Sequence, residues 1–224
     1  MGIAKLTVEG SDYIGALASV TEDYVFVGTG MPSKMKVLMA ENLKAEPVTM
    51  SVSGTNLVGL FVKANSNGLL ISNMVEEYEL GHLKDQHPDI DIAVLDSNLN
   101  ALGNNIIAND KIAIINPEYS QEAARQIEEV LDVEVVRDTI GGFKTIGANN
   151  ILTNKGLAVN NRATDMEKER LDKLLGVDSV RTTANTGALS IGLSTAANSS
   201  GVVVGRSTTG FELNRILDAL DLMD

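Results

Sequence analysis

The strongest constraint in this chain is a period. An apolar residue followed by glycine returns at Ile14-Gly15, Val58-Gly59, Leu102-Gly103, Ile146-Gly147 and Ile191-Gly192, with glycine-to-glycine steps of 44, 44, 44 and 45 residues. Neighbouring positions keep the same spacing. Six residues after each glycine stands Thr21, Asn65, Asn109, Thr153 or Asn198, opening TEDYVFV, NSNGLLI, NDKIAII, TNKGLAV and NSSGVVV. Each reads as a tight turn between two short strands, because Gly and Asn supply the left-handed conformations a hairpin needs. Residues 101 to 118 give the pattern whole: a glycine turn, a strand, an Asn-Asp turn, a second strand and a stop at Pro117.

A helix follows each hairpin. Thr164-Asp-Met-Glu167 and Thr209-Gly-Phe-Glu212 fit a capping box, with Asn73 to Glu76 as a looser version. Apolar residues then recur at helical spacing, and Ile127, Leu171 and Ile216 share one repeat offset with Leu83 and Met39. A further strand closes most copies: IDIAVL from residue 90, VEVVR from 133 and VDSVR from 177. One unit, strand-turn-strand-helix-strand, is too small to bury its own helix face, so copies must stack or close on one another. Without polar terminal caps or linkers, closure is the better solution. The expectation is one α/β domain over residues 1–224, a five-bladed α/β propeller with strands inside and helices outside. Its repeats run over about 9–52, 53–96, 97–138, 139–182 and 183–224, the first being the most degraded because MPSKMKVLMAENL has no capping box. All-β propellers of similar period carry a Trp-Asp signature, which a Trp-free chain cannot have.

Composition narrows the function. There are no cysteines, which removes disulfides, thiolate zinc sites and every Cys nucleophile. No run approaches a membrane span, and residues 1–20 lack a signal-peptide layout, so a soluble cytoplasmic protein is expected. Eighteen basic against thirty acidic residues give a formal charge of −12, a field that repels phosphate backbones, DNA included, and favours a basic protein surface as partner. The same charge also serves solubility alone. Aromatics are 4%, too few for a set of base-stacking platforms. His82 and His87 lie five apart, on different sides of a helix that Pro88 ends, and do not suit a shared metal. Gly28-Thr-Gly30 and Gly201-Val-Val-Val-Gly205 lack the remaining residues of nucleotide loops and read as turns.

A ring of five α/β units resembles the pentein architecture. Its guanidine-modifying enzymes need a Cys nucleophile, so the likeness to them is architectural. The resemblance to the translation initiation factor 6 family extends to residues. NALGNNIIANDKIAIINPE is similar to that family's third repeat, and VEVVRDTI, TNKGLAV, TANTGALSIG and VVVGRSTTGFEL resemble the succeeding segments in order, as NSNGLLI does in the second repeat. The end at Asp224, just after the fifth helix, matches the archaeal form, which lacks the eukaryotic C-terminal extension. The resemblance implies a monomeric, non-enzymatic, cofactor-free factor that binds the large ribosomal subunit, sterically prevents small-subunit joining and acts in large-subunit maturation. Its main contact would be a basic ribosomal protein, with the sarcin-ricin loop region of rRNA nearby, and its release would need a GTPase and a cofactor of that GTPase.

Residues at one offset in a ring lie at one height around its axis. The residue after each repeat glycine is Ala16, Leu60, Asn104, Ala148 or Leu193, and Asn104 is the polar exception. Asn104 matches the Asn of the family's Leu-Gly-Asn motif, which the resemblance implicates in the ribosomal-protein contact; as a turn residue beside Gly103 it also has a local explanation. Eukaryotic members carry Arg where Leu60 stands and Tyr where Ala148 stands. Arg137 and Arg181, at strand ends, suit either rRNA phosphates or local salt bridges. Two other functions fit the period: a Cys-free hydrolase with paired carboxylates and a His in a deep central pocket, and a protein-binding scaffold unrelated to ribosomes.

Overall fold

Each repeat glycine packs against the backbone of the repeat before it, and this sets the architecture. In the computed structural model, which describes residues 1–223, the five apolar-Gly pairs lie in one-turn helices, Ile14–Leu17, Val58–Phe61, Leu102–Asn105, Ile146–Asn149 and Ile191–Ser194. A Cβ on Gly59 would fall 1.9 Å from the Gly15 carbonyl oxygen, and one on Gly103 would fall 1.8 Å from that of Gly59. Gly147, Gly192 and Gly15 continue the ladder onto Gly103, Gly147 and Gly192, so the five helices close a ring around the axis. Where a glycine turn leading straight into a strand is expected, the chain therefore makes one helical turn first. Four residues are too few to show a helical period.

Each blade is a three-stranded sheet, its first two strands antiparallel and its second and third parallel. Blade 1 takes Ala18–Val20, Tyr24–Gly28 and Glu46–Met50; blade 2, Val62–Ala64, Leu69–Ser72 and Ile92–Leu95; blade 3, Ile106–Ala108, Ile112–Ile115 and Glu134–Arg137; blade 4, Ile151–Leu152, Leu157–Asn160 and Val180–Thr182. In blade 5, Thr195–Asn198 and Gly201–Gly205 are completed by Gly2–Leu6 from the start of the chain, which pairs parallel with Gly201–Gly205. Parallel strands need a crossover, and in blades 1 to 4 the outer helices Ser33–Leu43, Glu77–Gln86, Gln121–Leu131 and Asp165–Leu175 supply it, while Gly210–Ala219 follows the second strand of blade 5, whose third strand comes from the chain start. The result is the five-bladed α/β propeller that the period predicts.

The core explains why the ring must close. Middle strands are buried on both faces, as Leu69, Leu70 and Ile71 show, and read as continuous apolar runs. The shared helix offset, Met39, Leu83, Ile127, Leu171 and Ile216, is fully or almost fully buried. Phe26, Val48 and Met50 of blade 1 pack with Leu69 and Leu83 of blade 2, while Val203 of blade 5 packs with Met39 of blade 1. Adjacent blades thus share their cores.

Capping follows the sequence in two copies and departs from it in one. Thr164 and Thr209 accept from the N–H groups of Glu167 and Glu212, whose carboxylates return the bond. In blade 2 the helix begins three residues later than a box opening at Asn73 would place it. There Glu79 accepts from the Glu76 N–H at 3.0 Å, and Asn73 donates to Asp96 instead. The first-copy helix starts behind Pro32 with no side-chain cap. Turn asparagines serve their own hairpins and the next blade at once: Asn65 Oδ1 accepts from Asn67 N and Gly68 N, while its Nδ2 donates to Asn109 O.

Candidate functional site

The antiparallel register puts the start of each first strand beside the end of each second, as in Ala18 opposite Val27. The one-turn helices and the N-termini of the outer helices therefore share one face of the ring, and the hairpin turns occupy the other. Ala16, Leu60, Asn104, Ala148 and Leu193 are brought together around the axis on the first face. Ala16 and Ala148 are buried, whereas Leu60, Asn104 and Leu193 are half-buried.

Asn104 differs from its neighbour in what holds it. Asn105 is buried, donates to Ala101 O at 2.9 Å and accepts from Asn116 Nδ2 at 2.7 Å, thereby tying its helix to the end of the second strand. The Asn104 side chain makes no hydrogen bond within the described residues, and its Oδ1 is buried without a partner. The local structural work thus falls to Asn105, leaving the Asn104 amide uncommitted. An unmet polar atom of this kind carries a cost unless something else supplies its partner.

Further out, the face carries apolar side chains that the offset analysis above does not single out. Tyr78, Met166 and Phe211 occupy the second position of three outer helices, all nineteen residues after the repeat glycine, and are 70%, 82% and 73% exposed. Nearer the axis, Tyr13 and Leu57 precede their one-turn helices and are also exposed. Large apolar residues gathered on one rim mark an interaction surface more often than scattered ones do. Tabulating the offset would have revealed the first three; their exposure needed the fold.

Three carboxylates, two buried and that of Glu167 half-buried, hold this face in shape. Glu79, Glu167 and Glu212 sit at the third position of their helices and accept backbone N–H groups from a tight loop of the same blade: Ser53 and Gly54, Gly141, and Thr186 and Gly187. Burial pushes each carboxyl up, but the accepted hydrogen bonds outweigh it and hold all three below the usual range, Glu212 at about 2.

Charge is divided by sector. Residues 1–138, covering blades 1 to 3 and the strand that completes blade 5, hold nine basic and twenty-one acidic residues; residues 139–224 hold nine of each. The net charge of −12 therefore belongs entirely to the first three repeats and the chain start. Arg181 pairs with Asp165 at 2.6 Å, and Arg137 is held by Gln121 Oε1 and Ser120 O, so both are engaged locally.

On the axis, beneath the glycine ladder, lies a chamber of about 70 Å³. Its single titratable lining residue is Lys63; His82 and His87 lie on and at the end of the blade 2 outer helix. This chamber does not supply the paired carboxylates and His that a hydrolase reading requires. Among the described residues no group of three His, Cys, Asp or Glu side chains suits a metal ion, and no helix is long and apolar enough to cross a membrane.

Comparison with known proteins gives consistent matches. The model of the eIF-6 family matches residues 3–219. Translation initiation factor 6 of Thermococcus onnurineus is 36% identical over 228 aligned positions, covering 100% of both chains. That of Thermoplasma acidophilum is 37% identical, covering 97% of this chain and 99% of its own. Among solved structures, the N-terminal domain of ArgZ, an arginine dihydrolase from cyanobacteria, aligns over 59% of this chain and 51% of its own with a TM-score of 0.42 at 16% identity.

Proposed function

The chain belongs to the eIF-6 family and is a translation factor; on that premise we propose that it binds the large ribosomal subunit and blocks small-subunit joining by occupying the joining surface. No bond is made or broken in this activity, and no cofactor is needed. The factor acts as a cytoplasmic monomer, without membrane or DNA, and takes part in large-subunit maturation. The observation that carries the reading is the rigid face built around the five one-turn helices, where Asn104 stands uncommitted inside a rim of exposed apolar side chains.

Partner chemistry follows from the charge division. A basic ribosomal protein is the fitting contact for the acidic sector of blades 1 to 3, since opposite potentials steer encounter and fix register. The uncharged balance of residues 139–224 makes that side the more tolerant neighbour for rRNA, the sarcin-ricin loop region being the candidate. Ala16, Leu60, Asn104, Ala148 and Leu193 form the inner contact ring, with Asn104 its polar member.

The test is co-sedimentation with isolated archaeal large and small subunits at moderate salt. Binding to the large subunit alone, with fewer joined particles when both are mixed, is the expected result. Binding to neither subunit refutes the proposal, and binding to the small subunit alone reverses it.

A further inference from the structure

The axial chamber raises a question that subunit binding does not answer. Its walls are the five first strands, and at the offset four residues after each repeat glycine they place Ser19, Lys63, Ile107, Ile151 and Ala196. A cation thus stands alone in a layer otherwise made of aliphatic side chains and one hydroxyl. Among the described residues the Lys63 ammonium has no salt bridge within 4.0 Å and no side-chain hydrogen bond. Lys63 is half-buried and lines the chamber. Burial pulls its ammonium down to about 8, which leaves it charged at neutral pH.

An ammonium turned into a confined chamber without an ion-pair partner is a costly arrangement unless something compensates it. The acidic groups at the hairpin-side mouth, Glu22 and Asp110, hydrogen-bond across the turns and make no ion pair with Lys63. Glu22 accepts from Ser199 Oγ at 2.7 Å and Asn154 Nδ2 at 3.1 Å, while Asp110 accepts from Ser66 and from Asn154 at 2.6 Å. Thr195 also lines the chamber, and its hydroxyl is buried with no partner among the described residues. A water needs about 10–15 Å³ of such space, so the chamber has room for several waters, or for one small anion with a water or two.

We propose that the axial chamber is an anion site, in which Lys63 holds one small inorganic anion of the halide or nitrate class on the ring axis. The chamber is too small for a nucleotide or an amino acid, and its walls offer no second cation for a multiply charged anion. Glu22 and Asp110 flank the hairpin-side mouth, so the site selects a single small anion by space and by Lys63 and draws no anion from a distance.

Bromide is the probe. Protein purified and crystallised in sodium bromide, with data collected at the bromine absorption edge, is expected to show one anomalous peak in the chamber beside Lys63 Nζ, and crystals of Lys63→Met are expected to lack it. A wild-type chamber without anomalous density overturns the proposal whether or not the variant folds. So does a peak of equal height in Lys63→Met. Neither result depends on ribosome binding.

Discussion

Replacing Glu212 by Gln tests whether the buried carboxylates shape the ring face. The Glu212 carboxylate accepts from Thr209 N at 2.8 Å, Thr209 Oγ1 at 2.9 Å, Thr183 Oγ1 at 2.7 Å, Gly187 N at 2.7 Å and Thr186 N at 3.2 Å. Burial pushes its pKa up, the Thr209 backbone bond and its companions pull it further down, and the balance lies at about 2 against an ordinary 4.5. At about 1.4 kcal/mol per pKa unit, that depression corresponds to roughly 3 kcal/mol favouring the folded state. Since the folded value is the lower one, the contribution is complete above pH 4.5 and lost as pH falls towards 2. Gln keeps the shape but gives up the charge and half of the acceptor capacity, leaving buried N–H groups unmet, so about 2–3 kcal/mol is lost. For a chain of this size each kcal/mol moves Tm by about 2–4 °C, which gives a fall of roughly 5–10 °C at pH 7. Thermal melts of wild type and Glu212→Gln from pH 7 to pH 2.5 read both parts. The gap is expected to narrow below pH 4.5 as wild type protonates, while Glu79 and Glu167 titrate in both proteins and cancel. Equal melting at pH 7, or a gap that stays constant with pH, refutes the reasoning.

Three further outcomes follow from the same geometry. Asn104→Arg is expected to leave the melting temperature within about 2 °C and to weaken large-subunit co-sedimentation at least tenfold, because a bulky cation would face a basic partner; full binding by the folded variant moves the interface elsewhere. Gly103→Ala is expected to lower Tm by 10 °C or more, or to abolish soluble expression, since the new Cβ would fall 1.8 Å from the Gly59 carbonyl oxygen. Gly81→Ala, in mid-helix with nothing within 4 Å of its Cβ position, is expected to gain about 0.5–1 kcal/mol and to raise Tm by a few degrees.

What the sequence revealed, and what it hid, follows from the range of the interactions. Met39, Leu83, Ile127, Leu171 and Ile216 were legible because one offset serves one local job, and their burial is nearly uniform. Two closing strands were not legible. Glu46–Met50 contains Pro47, which argues against a strand until its edge position is known. Gly2–Leu6 pairs with residues about two hundred positions away, and no local pattern announces that. The blade 2 cap was misplaced because Glu76 is an unusual residue before a helix, and the box rule looks for Ser, Thr, Asp or Asn. On the candidate face, the position of the inner ring was readable from the period, but the contrast between Asn104 and Asn105 was not. Adjacent identical residues differ there only in which one the fold hydrogen-bonds. Lys63 was not singled out from its offset, and its place on the axial chamber required the closed ring.

The single irregular step of the repeat, 45 residues instead of 44, has a structural location and a use. Tight loops on the candidate face are closed by isolated bridges from Val8 to Ser11, Val52 to Thr55 and Ile140 to Phe143, but from Ala184 to Ala188 in blade 5. The extra residue is therefore absorbed in that loop, where an insertion leaves the strand and helix offsets untouched. Its Asn185 donates to Asp12 O at 2.9 Å and Ser194 Oγ at 3.0 Å and accepts from Thr208 Oγ1 at 3.0 Å. Asp12 in turn accepts from Ser207 N at 3.0 Å, and on the opposite face Glu22 accepts from Ser199. The bonds to Asp12 and to Glu22 tie the last repeat to the start of the chain, where the ring closes by Gly2–Leu6 pairing with Gly201–Gly205 inside blade 5. Chain continuity holds the three strands of each of the other four blades at high effective concentration, whereas the pairing of Gly2–Leu6 with Gly201–Gly205 closes a loop spanning nearly the whole chain and bears the largest entropic cost. Side-chain ties on both faces of that seam offset this cost where it arises, and the inserted residue supplies part of them.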